Sequence, residues 1–243
     1  MAYVDVAGHR IWHEVTGTGP PVALLHGAFG GSSSFAGMAP SLAGHGHRVH
    51  VPERPGHMHS PDLDEPLTYG GMAVHTADYL EQVVGEPCDL VGWSDGAVVA
   101  LLLARDRPEL VGRAVLVGQY YNSDGRVPDS PIDAALQRPE TFEFLRRGYA
   151  EVSPDGADHF RAVFEKTMHM IDTEPEIDLA TLAGVAAPTL VLQGDRDEVT
   201  VQHSRAVVAA LPDARLAVLP GTHLLPLELP DVVNPLLASF LAR

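Results

Sequence analysis

The feature that most constrains this chain is the pentapeptide Gly92-Trp93-Ser94-Asp95-Gly96. It stands between the largely apolar residues 88–91 and the small, apolar residues 97–104, which predicts a strand, a sharp turn and a helix. The flanking glycines leave room for a strained backbone and for close packing of the helix on the strand. Such a turn lifts the Ser94 hydroxyl above a helix N-terminus, which predicts a nucleophilic serine. The simpler interpretation is a glycine-containing strand–helix turn.

The length and composition predict one globular domain, with room for an insertion. The chain has 243 residues, of which 45% are hydrophobic. Its 32 acidic and 16 basic residues give a net charge of −16. This charge would repel nucleic acid and anionic membranes, and it mildly favours neutral or cationic small molecules. The simpler interpretation is that the acidity serves solubility.

The sequence gives no indication of a secreted or membrane protein. Cys88 is the only cysteine, so no internal disulfide is expected, and its place in a strand predicts a buried, inert thiol. The first residues lack a basic region followed by an apolar core, and no apolar stretch is long enough to span a bilayer. We therefore expect a cytoplasmic protein without a membrane partner, and the oligomeric state stays open.

Short apolar runs alternate with helical patterns along the chain. Strands are predicted at residues 3–6, 10–15, 21–26, 48–52, 88–93, 113–118, 188–193 and 215–219. Helices are predicted at residues 34–44, 68–84, 95–106, 200–211 and 234–242, the last with Pro235 in its first turn. This alternation predicts an α/β fold: a mostly parallel, eight-stranded sheet covered by helices on both faces.

One segment interrupts the alternation. Residues 121–178 show no strand pattern, whereas residues 139–150 and 155–171 have helical spacing. We therefore predict a helical cap at 121–178, inserted into a core made of residues 1–120 and 179–243. Met168-His169-Met170 lies in this cap, but no matching ligand spacing accompanies it, so no metal site is predicted.

A nucleophilic serine needs a base and a group that orients the base. The strand at 188–193 is followed by Asp195, Asp197 and Glu198, and the strand at 215–219 is followed by His223. Sites in α/β sheets gather at the carboxyl ends of strands, so a carboxylate and His223 are expected to meet Ser94 there. Taken singly, His223 could be a surface-loop histidine and Asp197 an acid at a helix N-terminus.

A further element follows the third strand, at His26-Gly27-Ala28-Phe29-Gly30-Gly31. Its small residues allow a backbone N–H to point toward the nucleophile, and the N–H of Asp95 comes from the turn itself. Two such donors would stabilise the oxyanion of a tetrahedral intermediate. The His26 ring is expected to be structural, bonded to neighbouring loops.

These motifs together resemble those of the α/β-hydrolase superfamily over nearly the whole chain. The resemblance implies that Asp197, and not Asp195, is the third member of a Ser94–His223–Asp197 triad. It implies Ala28 as the second oxyanion donor beside Asp95, with Phe29 less favoured. It also places the variable lid of the superfamily after the sixth strand, where the cap is predicted.

The Gly-Trp-Ser-Asp-Gly turn is similar to that of valacyclovirase-type (biphenyl hydrolase-like) esterases. In those enzymes the acid after the nucleophile recognises an ammonium group, which implies that role for Asp95. The simpler interpretation is that Asp95 contacts water or loop atoms.

The chain departs from the superfamily at Glu53, where Asp is usual, and at Met58 and His59, where Gly and Arg are usual. Met58 is therefore expected to narrow the pocket. The other residues expected to contact the substrate are Phe29, Trp93 and Leu224.

The resulting hypothesis is hydrolysis of a small carboxylic ester through an acyl-enzyme, without a metal or organic cofactor. The only partner expected is a small-molecule acyl substrate. Thioester hydrolysis or cyclisation, lyase chemistry, carbon–carbon bond hydrolysis and perhydrolysis could use the same groups. A ligand receptor built on a hydrolase fold is the alternative outside enzymes.

Overall fold

The fold is described from a computed structural model, which covers residues 1–128 and 130–242. Its eight strands form one sheet in the order β1-β2-β4-β3-β5-β6-β7-β8. Their bounds are β1 Ala2–Val6, β2 His9–Thr16, β3 Pro21–Leu25, β4 Arg48–Pro52, β5 Cys88–Trp93, β6 Val111–Val117, β7 Thr189–Arg196 and β8 Ala214–Thr222. Strands β1 and β2 form an antiparallel hairpin, β2 also pairs antiparallel with β4, and every later pair is parallel. The predicted α/β sheet is confirmed.

Nine α-helices connect or cover these strands in the described part of the chain. Their bounds are α1 Met38–Gly44, α2 Tyr69–Tyr79, α3 Asp95–Asp106, α4 Pro131–Leu136, α5 Pro139–Val152, α6 Phe160–Thr173, α7 Val201–Ala210, α8 Leu225–Glu228 and α9 Pro230–Leu241. Thr68 and Thr200 cap α2 and α7 with their side chains. Each accepts a hydrogen bond from a backbone N–H in the first turn, which would otherwise lack a partner.

The sheet is buried on both faces because its central strands are largely apolar. On β3, Val22 and Leu24 pack with α1 and α9, while Ala23 and Leu25 point the other way and pack with α2 and α3. All residues of β3 and β5 are buried, including the Cys88 thiol. Because helices pack on both faces of the sheet, the ends of its strands are held in fixed positions. The candidate site lies at those ends.

The last helix differs from the prediction. Helix α9 begins at Pro230, not at residue 234, so Pro235 lies inside it. Val233, Leu237 and Leu241 recur every four residues and are fully buried. This apolar stripe outweighs the lost backbone hydrogen bond of Pro235. The helix predicted at 34–44 is instead a 3₁₀ turn at Ser32–Phe35 followed by α1.

Helices α4 to α6 all lie between β6 and β7, in the segment predicted to be a cap. Tyr149, Phe160 and Val163 form their own apolar cluster, against which Phe29 of the core packs. Asp62, in the loop before α2, accepts hydrogen bonds from Lys166 Nζ and His159 Nε2, both at 2.8 Å. These contacts join the helices to the core above the strand ends.

Gly96 is the residue where α3 crosses closest to β3, and it gives a prediction on stability. A Cβ at this position would lie 1.9 Å from the Leu25 carbonyl oxygen and 2.7 Å from that of His26. Because both atoms are backbone, Gly96→Ala is expected to lower the free energy of unfolding by about 3 kcal/mol. Gly148→Ala is the matched control, since its Cβ meets no atom within 4 Å on helix α5. The control should gain about 0.5–1 kcal/mol, and equal denaturation midpoints for the two variants would contradict the argument.

Candidate active site

Ser94 lies at the junction of β5 and α3 in a strained backbone conformation. Its φ is +56° and its ψ is −121°, and its N–H donates to the Val117 carbonyl at 2.8 Å. A Cβ on Gly27 would lie 3.0 Å from the Ser94 Cβ, so the loop after β3 passes directly beside the serine. The geometry is that of the sharp turn expected from the sequence, and it presents the hydroxyl at the strand ends.

The structure brings Ser94, His223 and Asp197 together. His223 Nε2 lies 2.8 Å from Ser94 Oγ, and His223 Nδ1 lies 2.7 Å from Asp197 Oδ1. The Asp197 carboxylate also accepts the N–H groups of Gly194 at 3.2 Å and Val199 at 3.3 Å. The three side chains form one continuous hydrogen-bonded chain, in which the carboxylate fixes a proton on Nδ1 and leaves Nε2 to face the serine.

Two neighbours fix the position of His223. The Trp93 indole N–H donates to the His223 carbonyl at 2.8 Å, which ties the histidine loop to the end of β5. Gly118 follows β6 with φ of +61°, and a Cβ there would lie 2.8 Å from the His223 ring. Only a residue without a side chain leaves this space for the imidazole.

The environment of His223 raises its pKa above the ordinary value of 6.5. Burial alone would lower it, because burial disfavours the charged ring. The hydrogen bond that His223 Nδ1–H donates to Asp197 and the negative charges of Asp197, Glu198 and Asp95 act in the opposite direction and prevail. The site therefore stabilises the imidazolium that forms when His223 accepts a proton from the serine.

Two backbone N–H groups beside Ser94 have no acceptor within the described residues. One belongs to Ala28, in the loop after β3, and the other to Asp95, the first residue of α3. Both residues line the same cavity as Ser94. Phe29, next to Ala28, has a positive φ of +55°, which shapes this loop around the serine. The N-terminus of α3 adds a favourable field for negative charge at this point.

The Asp95 side chain points into a buried polar network. Tyr69 donates a hydrogen bond to Asp95 Oδ1 at 2.8 Å, and the Tyr69 and Tyr120 hydroxyls are hydrogen-bonded to each other. Burial raises the pKa of Asp95, whereas the charge of Arg54 and the bond from Tyr69 oppose that rise. Burial also lowers the pKa of Arg54 to about 10. The opposite charges of Asp95 and Arg54 thus partly offset each other below the turn at residues 92–96.

A largely apolar cavity of about 430 Å³ opens above Ser94. Of the substrate contacts predicted from the sequence, Phe29, Trp93, Leu224 and Asp95 line it. Helices α4 and α5 supply most of the opposite wall, at the residues Ile132, Asp133, Ala135, Leu136, Thr141, Phe144 and Leu145. The volume suits a small organic molecule.

Met58 does not line this cavity, which corrects the prediction that it narrows the pocket. It lines a small separate hollow, whose wall includes Phe29 and Leu145. Since those two residues also line the main cavity, they stand between it and Met58. Glu53 holds both ends of this region: its carboxylate accepts the N–H of Ser32 and the N–H of His59, and it lies 2.9 Å from His59 Nδ1.

Several residues at the site were not identified from the sequence. Gly118 and Tyr120 directly follow β6, so the rule that sites gather at the carboxyl ends of strands was a usable signal. Arg54 follows β4 and Tyr69 begins α2, and no signal in the sequence indicated that either side chain is buried. The expectation for His26 is confirmed: its buried ring accepts the N–H of Arg54 at Nε2 and lies 2.8 Å from the Gly27 carbonyl.

Residues 1–128 and 130–242 contain neither a metal-binding cluster nor a membrane-spanning helix. No group of three or more His, Cys, Asp or Glu side chains there is placed to bind a metal ion. In the same residues, no helix has the length and apolar character that a bilayer crossing requires.

Several proteins of known function are similar to this chain over nearly its whole length. A pyrrolizixenacetamide deacetylase from Xenorhabdus hominickii is 28% identical, over 99% of this chain and 98% of that protein. The human serine hydrolase BPHL is 26% identical, over 99% of this chain and 86% of that protein. The crystal structure of an enol-lactonase from Burkholderia xenovorans LB400 superposes with a TM-score of 0.81 at 19% identity, covering 100% of both chains.

Both of these relatives are hydrolases, which places this protein in the same general class. Residues 22–236 match the model of the alpha/beta hydrolase family, and this span includes Ser94, Asp197 and His223. The chain belongs to the alpha/beta hydrolase family.

Proposed function

We propose that the protein hydrolyses a small carboxylic ester, with Ser94 as nucleophile, His223 as base and Asp197 as the group that orients the base. The observation that carries this proposal is the unbroken hydrogen-bonded chain from Ser94 Oγ through the His223 ring to Asp197 Oδ1. The Ser94 end of this hydrogen-bonded chain lies in a cavity whose size suits a small acyl compound. A hydroxyl, an imidazole and a carboxylate in this succession are the requirements for nucleophilic acyl transfer.

In the first half of the reaction, His223 Nε2 removes the Ser94 proton as Oγ attacks the ester carbonyl carbon. The carbonyl oxygen becomes an oxyanion and accepts hydrogen bonds from the N–H groups of Ala28 and Asp95. Asp197 stabilises the imidazolium. His223 then donates its proton to the departing alcohol, and an acyl-serine remains.

In the second half, a water molecule takes the place of the alcohol. His223 removes a proton from it, and the hydroxide attacks the acyl carbon of the acyl-serine. The same two N–H groups bind the second oxyanion. Collapse of this intermediate releases the carboxylic acid, and His223 returns the proton to Ser94 Oγ.

An amine-bearing ester, such as an amino-acid ester, is the finer part of the proposal. The net charge of −16 favours cations, and the valacyclovirase-like turn carries an acid beside the nucleophile. In this chain, however, the Asp95 carboxyl is hydrogen-bonded to Tyr69 and faces the charge of Arg54. Recognition of an ammonium group by Asp95 would require competition with these internal groups.

Reaction with a fluorophosphonate probe tests the proposal. The native protein should be labelled once, on the peptide that contains Ser94, and should lose hydrolysis of p-nitrophenyl acetate in proportion to labelling. Reaction of the probe requires the activated serine, which a binding protein without catalysis does not need. A native protein that neither reacts with the probe nor cleaves the ester would support the receptor alternative. A panel of esters, thioesters and carbon–carbon substrates then separates the reactions that share these groups.

A further inference from the structure

The buried Arg54 side chain binds one of the two segments that carry the proposed oxyanion donors. That segment is the loop after β3, which presents the N–H of Ala28. Arg54 Nη2 donates a hydrogen bond to the His26 carbonyl and lies 3.5 Å from the Gly27 carbonyl oxygen. The backbone N–H of Arg54 also donates to His26 Nε2 at 3.2 Å. Arg54 thus holds the two residues that directly precede Ala28.

The same loop packs tightly against the start of α3. A Cβ on Gly96 would lie 2.7 Å from the His26 carbonyl oxygen, which is the atom that accepts the hydrogen bond from Arg54. Because Ala28 lies only two residues further along, a shift of this carbonyl would displace the Ala28 N–H relative to Ser94. The hydrogen bond from Arg54 therefore affects the geometry in which an oxyanion would be bound.

Arg54 also acts on the second segment, through its charge. Asp95 has a buried carboxylate on the same residue whose N–H is the second proposed donor. An unbalanced negative charge there would repel the oxyanion, and this repulsion is stronger in a buried site than in water. The charge of Arg54 opposes the rise in the pKa of Asp95, and the Tyr69 hydroxyl donates to Asp95 Oδ1 at 2.8 Å. Both groups therefore stabilise the carboxylate, and Arg54 offsets its charge.

We propose that Arg54 is a positioning residue for catalysis: its hydrogen bonds hold the loop that presents the Ala28 N–H, and its charge offsets that of Asp95 beside the oxyanion. This inference rests on the proposed ester hydrolysis and adds to it a residue that does not line the main cavity. Because Arg54 acts on the oxyanion and not on the bound ester, its loss should lower kcat and leave KM nearly unchanged.

The test begins with Arg54→Met, which removes the charge and the donors and keeps most of the apolar stem. We expect kcat for p-nitrophenyl acetate to fall about 100-fold, the loss typical of one oxyanion donor. Complete labelling with the fluorophosphonate counts the folded sites, so that unfolded molecules do not lower kcat. Phenylboronic acid, which forms a tetrahedral adduct with a reactive serine, should bind more weakly by a similar factor. A role in folding alone would change neither kcat per labelled site nor the affinity for the boronic acid.

Two further variants separate the charge from the hydrogen bonds. Arg54→Lys keeps the charge and an N–H donor, and its kcat should stay within about tenfold of the native value. Asp95→Asn keeps the backbone N–H and an acceptor for Tyr69. Added to Arg54→Met, it should recover about tenfold in kcat, because no unpaired buried charge remains. If Arg54→Met does not fold, the double variant takes its place, since it still lacks the hydrogen bonds to the loop and should have a lower kcat and boronate affinity than the native protein.

Arg113→Met is the matched control. The Arg113 side chain is half-buried and also donates to a backbone carbonyl, that of Leu241 at 3.0 Å, but it does not line the cavity. The substitution removes the same groups and should leave kcat and the boronate affinity unchanged, whatever its effect on thermal unfolding.

The inference is overturned if Arg54→Met, or the double variant in its place, has the native kcat and boronate affinity. It is also overturned if the loss in Arg54→Met is relieved neither by lysine at position 54 nor by Asp95→Asn. In both cases ester hydrolysis by the native protein, and its loss on labelling, would still support the proposed function. A native protein that neither cleaves the ester nor reacts with the fluorophosphonate would instead remove the proposed function.

Discussion

Replacing Ser94 with alanine is expected to lower kcat for p-nitrophenyl acetate by about four orders of magnitude or more. The variant keeps the cavity, the His223 base and the free N–H groups of Ala28 and Asp95, but no atom remains to form the acyl-enzyme. Residual turnover can come only from water activated directly in the site. Initial rates of nitrophenolate release, measured on protein freed of wild-type contamination, give the comparison.

Ser239→Ala is the control for that experiment. Ser239 is exposed on α9, so the same loss of a hydroxyl occurs far from the cavity and should leave kcat unchanged. Thermal unfolding of both variants should match that of the native protein, which excludes unfolding as the cause of inactivity. A Ser94→Ala protein with native turnover would show that another group attacks the ester.

The sequence predicted those parts of the fold that depend on local patterns. Apolar runs identified the buried parallel strands, and Gly92 and Gly96 identified the sharp turn that has Ser94 at its centre. The meeting of Ser94 with His223 could be anticipated because the carboxyl ends of parallel strands lie at one edge of the sheet. The observed distance of 2.8 Å between their side chains agrees with that expectation.

What the sequence did not predict depends on contacts between distant segments. The buried Arg54 guanidinium donates a hydrogen bond to the His26 carbonyl and interacts electrostatically with Asp95, and neither interaction has a local sequence pattern. Met58 was placed at the cavity because its loop borders the site, yet it lines a separate hollow, with Phe29 and Leu145 between the two. Pro235 suggested that the last helix starts at residue 234. The helix begins at Pro230 instead, because its apolar stripe is buried. In each case tertiary packing outweighed a local preference.

Asp197→Asn is expected to lower kcat by about four orders of magnitude near neutral pH, while the fold is kept. Asparagine is nearly isosteric, but its amide N–H₂ can donate to His223 Nδ1 and so favours the ring tautomer with the proton on Nε2. That tautomer cannot accept the Ser94 proton, and the loss of the carboxylate also removes the group that stabilises the imidazolium. Steady-state kinetics across a range of pH measure both effects.

The pH profile separates this explanation from a simple structural defect. In the native protein kcat/KM should rise with pH through a pKa above 6.5, because only neutral His223 accepts a proton. The hydrogen bond and charge of Asp197 contribute to this raised pKa, so in Asp197→Asn the rise should move to lower pH. Asp195→Asn is the matched control: Asp195 is exposed, and its Oδ1 accepts the Gly221 N–H at 2.9 Å, a bond that asparagine can keep. If Asp195→Asn lost activity and Asp197→Asn did not, Asp195 would be the acid that orients the histidine.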